Sequence, residues 1–250
     1  MFFVYAYFFI VGITFGSFFN VVGLRVPKKE SIVYPRSFCP KCQAQLKWFE
    51  LIPILSFFIL KGKCRNCRTK ISILYPLMEL ITGLLFVFSF YQIGFQGELI
   101  VAFTLVSLLI IITVSDLAYQ IIPNKVLLCF AIILFIERLI FPLSPWYDFL
   151  LGALTGFLLL YIIALLSKGG MGGGDIKLYF VIGLVLGVKG VLLAFFVSTL
   201  IGALFSVFGI LIGKLHRKSA IPFGPFISFG AIVTYFYGQE LLEWYIHLLQ

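Results

Sequence analysis

The chain has 250 residues, of which 62% are hydrophobic and only 12% are charged, and its mean hydropathy is +1.11. A soluble globular domain has about 25% charged residues, so this composition excludes that class. Apolar stretches of roughly 17–25 residues recur, which is the length that crosses about 30 Å of hydrocarbon. Because backbone polar groups find no water there, these stretches should be helices. The chain is therefore predicted to be an all-α polytopic membrane protein.

Eight apolar stretches are separated by polar breaks, and each predicts a transmembrane helix. They cover residues 2–24, 73–94, 99–115, 126–143, 149–166, 176–188, 190–213 and 226–248. The first has no basic segment before it and no small-residue cleavage site, so we expect it to be retained rather than removed as a signal peptide. The expected domains are helix 1 (1–24), a small cytosolic module (25–72) and a transmembrane bundle (73–250).

The net charge of +9 reflects an uneven distribution of basic residues. With the N-terminus outside, the inside loops are 25–72, 116–125, 167–175 and 214–225, and 17 of the 19 Lys and Arg lie in or beside them. Eleven are in 25–72; the others are Lys125, Lys168, Lys177, Lys214, Arg217 and Lys218, while Arg138 and Lys189 are near outside ends. Cytoplasmic loops carry such an excess. We therefore expect both termini outside, and we attribute the charge to orientation against anionic lipid rather than to nucleic-acid binding.

Four of the five cysteines form two Cys-x-x-Cys pairs in the polar segment, Cys39 with Cys42 and Cys64 with Cys67. Two such pairs can place four thiolates around one Zn²⁺. A segment this short buries little core, so a structural metal would stabilise it. Redox dithiols and unliganded cysteines are the alternatives, although the reducing cytosol argues against two disulfides. The fifth cysteine, Cys129, lies inside a predicted helix and is interpreted as a small core residue.

Two of the three aspartates lie at the inside ends of predicted helices. Asp116 ends one apolar run, and Asp175 begins another after a run of glycines, whereas Asp148 is interpreted as a solvated cap in an outside turn. Ionisable groups at membrane depth are costly and usually face the bundle or a water-filled cavity. Two adjacent carboxyls cannot both ionise easily, so one keeps its proton. That state suits peptide hydrolysis, because the ionised carboxylate deprotonates water while the protonated one polarises the scissile carbonyl.

The aspartates alone leave other interpretations open. They could cap helices or anchor them at the interface, as a carboxylate near the start of a helix often does. They could also relay protons in a transporter, a common use of intramembrane acids. A metal-stapled scaffold without catalysis is a third possibility.

Several further motifs follow one another along the chain. They are Gly16-Ser17-Phe18-Phe19-Asn20, the cysteine module, Gly62-Lys63-Cys64, Tyr75-Pro76-Leu77-Met78-Glu79, Asp116 with Ile122-Pro123-Asn124, Gly172-Gly173-Gly174-Asp175-Ile176-Lys177, and Pro222-Phe223-Gly224-Pro225. In this order and spacing the sequence resembles the type IV prepilin peptidases, over nearly the whole chain. The resemblance implies eight transmembrane helices and a membrane-embedded aspartic protease.

Residue by residue, Asp116 and Asp175 match the catalytic pair of that family. Its substrates are prepilins and pilin-like proteins, and it removes their short basic leaders after a Gly at the cytosolic face. Many members then methylate the new N-terminus with S-adenosylmethionine. The cysteine module marks these two-activity members, and Gly62 and Glu79 match positions associated with methyl transfer. The resemblance thus implies a bacterial inner or cytoplasmic membrane enzyme whose active site faces the cytosol, with Zn²⁺ and S-adenosylmethionine as cofactors.

Other residues are expected to support the aspartates. Gly172 and Gly174 would let a substrate backbone approach closely, and Pro123 with Asn124 suits a turn before the next helix. Lys177 would favour an ionised carboxylate if close enough, but it could equally be a positive-inside anchor. The segment from Pro222 to Gly224 is interpreted either as a rigid loop beside the site or as a simple helix breaker.

Overall fold

The computed structural model describes residues 1–167, 171–213 and 221–249, and among them it contains no strand. The eight α-helices in these ranges are α1 (Phe2–Arg25), α2 (Leu55–Ile59), α3 (Leu74–Ile93), α4 (Glu98–Tyr119), α5 (Asn124–Ile140), α6 (Asp148–Leu166), α7 (Gly173–Leu211) and α8 (Gly224–Leu249). A short 3₁₀ helix covers Trp48–Leu51. The all-α fold is confirmed. Four basic residues of the inside loops, Lys168, Lys214, Arg217 and Lys218, lie outside the described residues.

Five of the described helices are long and apolar enough to cross a membrane, namely α1, α3, α4, α6 and α7. Each of the eight predicted transmembrane stretches coincides with a helix, but the sixth and seventh are joined in α7. This element has 39 residues and is interrupted at Gly187, where φ is 68° and ψ is −173°. Few residues other than glycine adopt this backbone conformation. The predicted break, at residue 189, was therefore two residues from the observed one.

The chain divides into two compact units, Met1–Ala118 and Tyr119–Gln250. In the first unit, α1 packs closely on α3 because glycines face each other. A Cβ atom at Gly12 would lie 2.7 Å from the Cα of Gly83, and one at Gly16 would lie 2.9 Å from the Cα of Glu79. The Asn20 side-chain amide donates to the Tyr75 carbonyl at 3.1 Å. These contacts fix the antiparallel register of the two helices.

The second unit is built around the packing of α6 on α7. Each helix presents two glycines four residues apart, Gly152 and Gly156 on α6 and Gly183 and Gly187 on α7. Cβ atoms at Gly152 or Gly156 would collide with backbone atoms of α7. Small residues with this spacing allow close backbone approach between membrane helices, where packing rather than water exclusion drives association.

Two charged side chains contact the interruption in α7. Arg138 of α5, only 1% exposed, donates to the Val185 carbonyl at 2.9 Å and to the Phe141 carbonyl at 3.2 Å. On the other side of the break, the Asp148 carboxylate accepts from the Val188 backbone N–H at 3.4 Å. A cation thus lies at the C-terminal end of one half-helix and an anion at the N-terminal end of the next, as the helix dipoles favour. Asp148 is therefore a tertiary contact and not merely the solvated cap that was expected.

The glycine contacts generate a stability prediction. Gly152→Val should cost about 1–3 kcal/mol, because the added atoms overpack a backbone-to-backbone contact. For a chain of this length each kcal/mol lowers the thermal unfolding midpoint by about 2–4 °C, so the midpoint in detergent is expected to fall by roughly 2–12 °C. Leu151→Phe is the matched control, since the neighbouring Leu151 is 46% exposed and has room for a larger side chain. Equal midpoints for the two variants would contradict the packing described here.

Candidate active and metal sites

The four module cysteines lie on two similar hairpin turns. In the first, the Cys39 N–H donates to the Ala44 carbonyl at 3.0 Å, and Gln43 has a left-handed φ of 57°. In the second, the Cys64 N–H donates to the Thr69 carbonyl at 2.8 Å, and Arg68 has a φ of 58°. Isolated β-bridges, Phe38 with Gln45 and Lys63 with Lys70, close the turns. Each turn therefore presents its two thiols on one side.

The thiols converge on one point. The Cys39 and Cys67 sulfurs are 3.7 Å apart, the Cys42 and Cys64 sulfurs are 3.9 Å apart, and all four lie within 4.8 Å of one another. Sulfurs at the corners of a tetrahedron with metal–sulfur bonds near 2.3 Å would be about 3.8 Å apart. The four cysteines are free thiols. The arrangement therefore fits a single metal ion.

Hydrogen bonds favour the thiolate form of two of the four cysteines, Cys39 and Cys67. The Thr69 hydroxyl and backbone lower the pKa of Cys67 to about 6. Backbone N–H groups of Cys42 and Lys41 lower the pKa of Cys39. Because a thiolate is the form that binds metal, these contacts prepare the turns for coordination.

Cys129 lies apart from this cluster, on α5, and its side chain is exposed. The expectation that it is a core residue is wrong. In a membrane helix an apolar residue is stable facing either lipid or protein, so its hydrophobicity does not predict burial.

The two candidate catalytic aspartates are placed by different helices in different units. Asp116 is in the last turn of α4 and is 6% exposed, next to the buried Ser115. Asp175 is the third residue of α7 and is half-buried. Neither occupies an N-cap position, since Gly172 is the N-cap of α7 and Asp116 lies in the last turn of α4. The capping interpretation is therefore not supported for either residue.

The glycines before Asp175 make room for specific neighbours. A Cβ atom at Gly172 would lie 3.1 Å from an Asp175 carboxylate oxygen, and one at Gly174 would lie 2.7 Å from the Cβ of Ile122. At Gly173 a Cβ atom would meet nothing within 4 Å. Packing against the segment that leads into α5 thus requires Gly174, whereas Gly172 leaves room beside the Asp175 carboxylate.

That segment contributes the other predicted supporting residues of the second unit. Pro123 precedes α5, and Asn124 begins it. The Lys177 ammonium donates to the Asn124 side-chain oxygen at 2.9 Å, which joins the first turns of α5 and α7. Gly172, Gly174, Asn124 and Lys177 therefore meet in one region. Pro222 and Gly224 lie at the start of α8, where Phe223 and Phe226 pack against Gly202 in the second half of α7.

The two residues that the resemblance associates with methyl transfer both contact α2. The Glu79 carboxylate, 8% exposed, accepts from the Ile54 backbone N–H at 2.7 Å, immediately before α2 begins. Gly62 lies just after α2 with a φ of 64°, and a Cβ atom there would be 3.0 Å from the Phe57 ring. Sequence reasoning missed this short helix, because five residues carry no periodic signal. Ile54, the residue before α2, has a φ of 62°, a conformation that residues other than glycine rarely adopt.

Comparison with known proteins covers both units. The model of the bacterial peptidase A24 N-terminal domain matches residues 10–93, and that of the type IV leader peptidase family matches residues 103–207. A protein of Bacillus subtilis named prepilin leader peptidase/N-methyltransferase is 48% identical over 96% of this chain and 97% of its own length. The chain belongs to the type IV leader peptidase family.

Relatives with the same printed name come from other bacteria. The relative from Xanthomonas campestris is 32% identical over 94% of this chain and 92% of its own length. The relative from Neisseria gonorrhoeae is also 32% identical, over 88% of this chain and 85% of its own length. No solved structure matched the chain. Family membership favours a peptidase over the transporter and scaffold interpretations.

The cysteine geometry predicts the metal content. Purified protein should carry one metal ion per chain, and Cys64→Ser should remove it, because Cys64 is one of four converging donors. Elemental analysis by mass spectrometry measures the stoichiometry directly. Cys129→Ser serves as the control and should keep the full metal content. Metal retained by the Cys64 variant would show that the cluster is not the binding site.

Proposed function

We propose that this chain removes the leader from prepilins and pilin-like precursors and methylates the new N-terminus. The observation that carries the proposal is the match along both halves of the chain, with 48% identity to a relative whose name states both activities. The cysteine cluster supports the assignment to the two-activity members. The substrates are proteins with a short basic leader, a Gly at the cleavage point and an apolar helix that lies in the bilayer.

Asp116 and Asp175 are proposed as the catalytic pair. One carboxylate takes a proton from water as the water oxygen attacks the carbonyl carbon of the last leader residue, the Gly. The protonated partner donates its hydrogen bond to the carbonyl oxygen. Collapse of the tetrahedral intermediate breaks the C–N bond, and the nitrogen receives the proton that the first carboxylate had taken from water, so that the mature protein leaves as a neutral amine. The two acids titrate as a pair.

The two aspartates lie at opposite ends of their helices, where the helix dipole has opposite sign. Asp175 is in the first turn of α7, where the helix dipole is positive, and Asp116 is in the last turn of α4, where it is negative. The helix dipoles thus favour negative charge at the position of Asp175 more than at that of Asp116. Gly172 leaves space beside the Asp175 carboxylate, and the contact from Lys177 to Asn124 holds the turn in which Asp175 lies.

The proposed topology places both termini outside and the aspartates at the cytosolic face of a bacterial inner or cytoplasmic membrane. Residues 1–24 form the first helix, 25–72 the cysteine module, and 73–250 the peptidase bundle. Four thiolates in a tetrahedral arrangement favour a metal ion that binds soft sulfur ligands, so we assign the metal as Zn²⁺. With four sulfur ligands no position remains open for water, and the ion is structural.

For methyl transfer, S-adenosylmethionine supplies the methyl group when bound. Glu79 and Gly62 are proposed to act through α2, because one holds the residue before this helix and the other allows the turn after it. They are therefore positioning residues, and α2 is the element on which methyl transfer depends.

The catalytic pair leads to a direct prediction. Asp116→Asn or Asp175→Asn should lower the rate of leader removal by at least about a hundredfold, because each removes an acid–base group. The measurement is the mass shift of a model prepilin mixed with the purified protein in detergent. The same variants should still transfer labelled methyl groups to a substrate that has already been cleaved.

Asp148→Asn is the matched control, since the amide oxygen can still accept from the Val188 N–H, and it should cleave normally. Normal processing by either of the other two variants would refute the proposed pair. Loss of both cleavage and methylation in them would indicate misfolding instead of a catalytic role.

The proposed role of Glu79 can be separated from acid–base chemistry. Glu79→Gln should keep most of the methyl transfer, because a glutamine oxygen can still accept from the Ile54 N–H. Glu79→Ala removes this acceptor and should lower the rate of methyl transfer by about tenfold or more. The measurement is label transferred from S-adenosylmethionine to cleaved substrate. Leader removal by both variants is the internal control. Equal loss in both variants would assign Glu79 a chemical role and refute a positioning one.

A further inference from the structure

The short helix α2 exposes large apolar side chains. Leu55, Phe58 and Ile59 are 59%, 69% and 74% exposed, whereas Phe57 faces inward onto Gly62. For comparison, Leu84 in the middle of the membrane helix α3 is 54% exposed. The adjacent 3₁₀ helix adds the exposed Trp48. An apolar patch of this kind marks an interaction surface rather than a face in contact with water.

The depth of α2 follows from its contact with α3. Glu79 is five residues beyond Leu74, the first residue of α3, and it accepts from Ile54 at 2.7 Å. At 1.5 Å per residue, the start of α2 therefore lies about 7–8 Å along α3 from the N-terminal end of α3 at Leu74. Because the 20 residues of α3 span only about 30 Å, roughly the hydrocarbon thickness, this contact lies inside the boundary of the bilayer.

Helix α1 places the same contact relative to its own cytosolic end. Gly16 faces Glu79, and Arg25, the last residue of α1, is nine residues further along. Nine residues correspond to about 13 Å of helix, so the start of α2 lies roughly that far below the level of Arg25. Both membrane helices therefore place α2 where headgroups give way to acyl chains.

The charges around α2 match an anionic lipid surface. Lys61 and Lys63 follow the helix directly and are exposed. Between residues 47 and 63 the single acid is Glu50, which pairs with Arg65 at 3.5 Å and accepts from the Lys47 N–H. An apolar face flanked by free lysines is the pattern of an interfacial helix on anionic lipid.

We propose that α2 is embedded in the lipid interface at the leaflet where α1 ends and α3 begins, with Leu55, Phe58 and Ile59 among the acyl chains. Lys61 and Lys63 reach the phosphates of anionic headgroups. The module between α1 and α3 is thus docked on the bilayer and not suspended in the cytosol. This inference does not depend on the catalytic assignments.

Quenching by brominated lipid tests the proposal. A Phe58→Trp variant of the full chain, with Trp48, Trp146 and Trp244 replaced by Phe, is reconstituted in vesicles that contain phosphatidylglycerol. The control is Lys41→Trp in the same background, because Lys41 is exposed on a metal-binding turn. Bromines on the upper acyl chain should quench position 58 at least about twofold more than position 41. Acrylamide in water should show the opposite order.

Several outcomes would overturn the proposal. Equal quenching at the two positions would place α2 in water, and shielding of position 58 from both quenchers would mean that another protein surface covers it. Equal quenching in phosphatidylglycerol and in pure phosphatidylcholine vesicles would exclude a role for Lys61 and Lys63. Metal content and prepilin cleavage, measured on the same samples, show that each variant is folded.

Discussion

The structure depends on one constraint, the need to satisfy every backbone polar group within hydrocarbon. Unbroken helices meet it by themselves, but α7 is interrupted at Gly187 and leaves backbone groups exposed at the break. Arg138 and Asp148 supply the missing partners from α5 and α6. A buried arginine and a half-buried aspartate are therefore retained where charged groups are otherwise costly. The half of α7 that begins at Gly173 and carries Asp175 is anchored at its far end by this pair of contacts.

The cysteine module is subject to a different constraint, since it is too short to form a core. Residues 26–73 contain little regular structure, so their order depends on tertiary links rather than on a core. The cysteine cluster ties two turns together, Glu79 ties the start of α2 to α3, and Gly62 lets the chain reverse after α2. The four converging cysteines, a buried carboxylate and a left-handed glycine together replace the hydrophobic core that a segment of this length cannot form.

The sequence predicted what depends on local pattern. Helix positions follow from apolar length, and the two cysteine turns follow from Cys-x-x-Cys spacing. The aspartates and the glycines around Asp175 stood out because polar residues are rare in such a chain. Features that depend on distant partners were not predictable: Arg138 gave no signal that it would contact α7, and Ile54 none that it would meet Glu79. Cys129 was misjudged because lipid and protein core favour the same residues.

The position of α2 also bears on how one chain can perform two reactions. Cleavage releases an amine at the end of an apolar helix that stays in the bilayer, so this amine remains near the membrane surface. A methyl-transfer site far out in the cytosol would seldom meet this amine. Helix α2, which Glu79 and its own apolar face hold at the depth of the interface, stays at the same level as the amine. The cleaved intermediate then diffuses only within the plane of the membrane between the two sites, which raises its effective concentration at the second site.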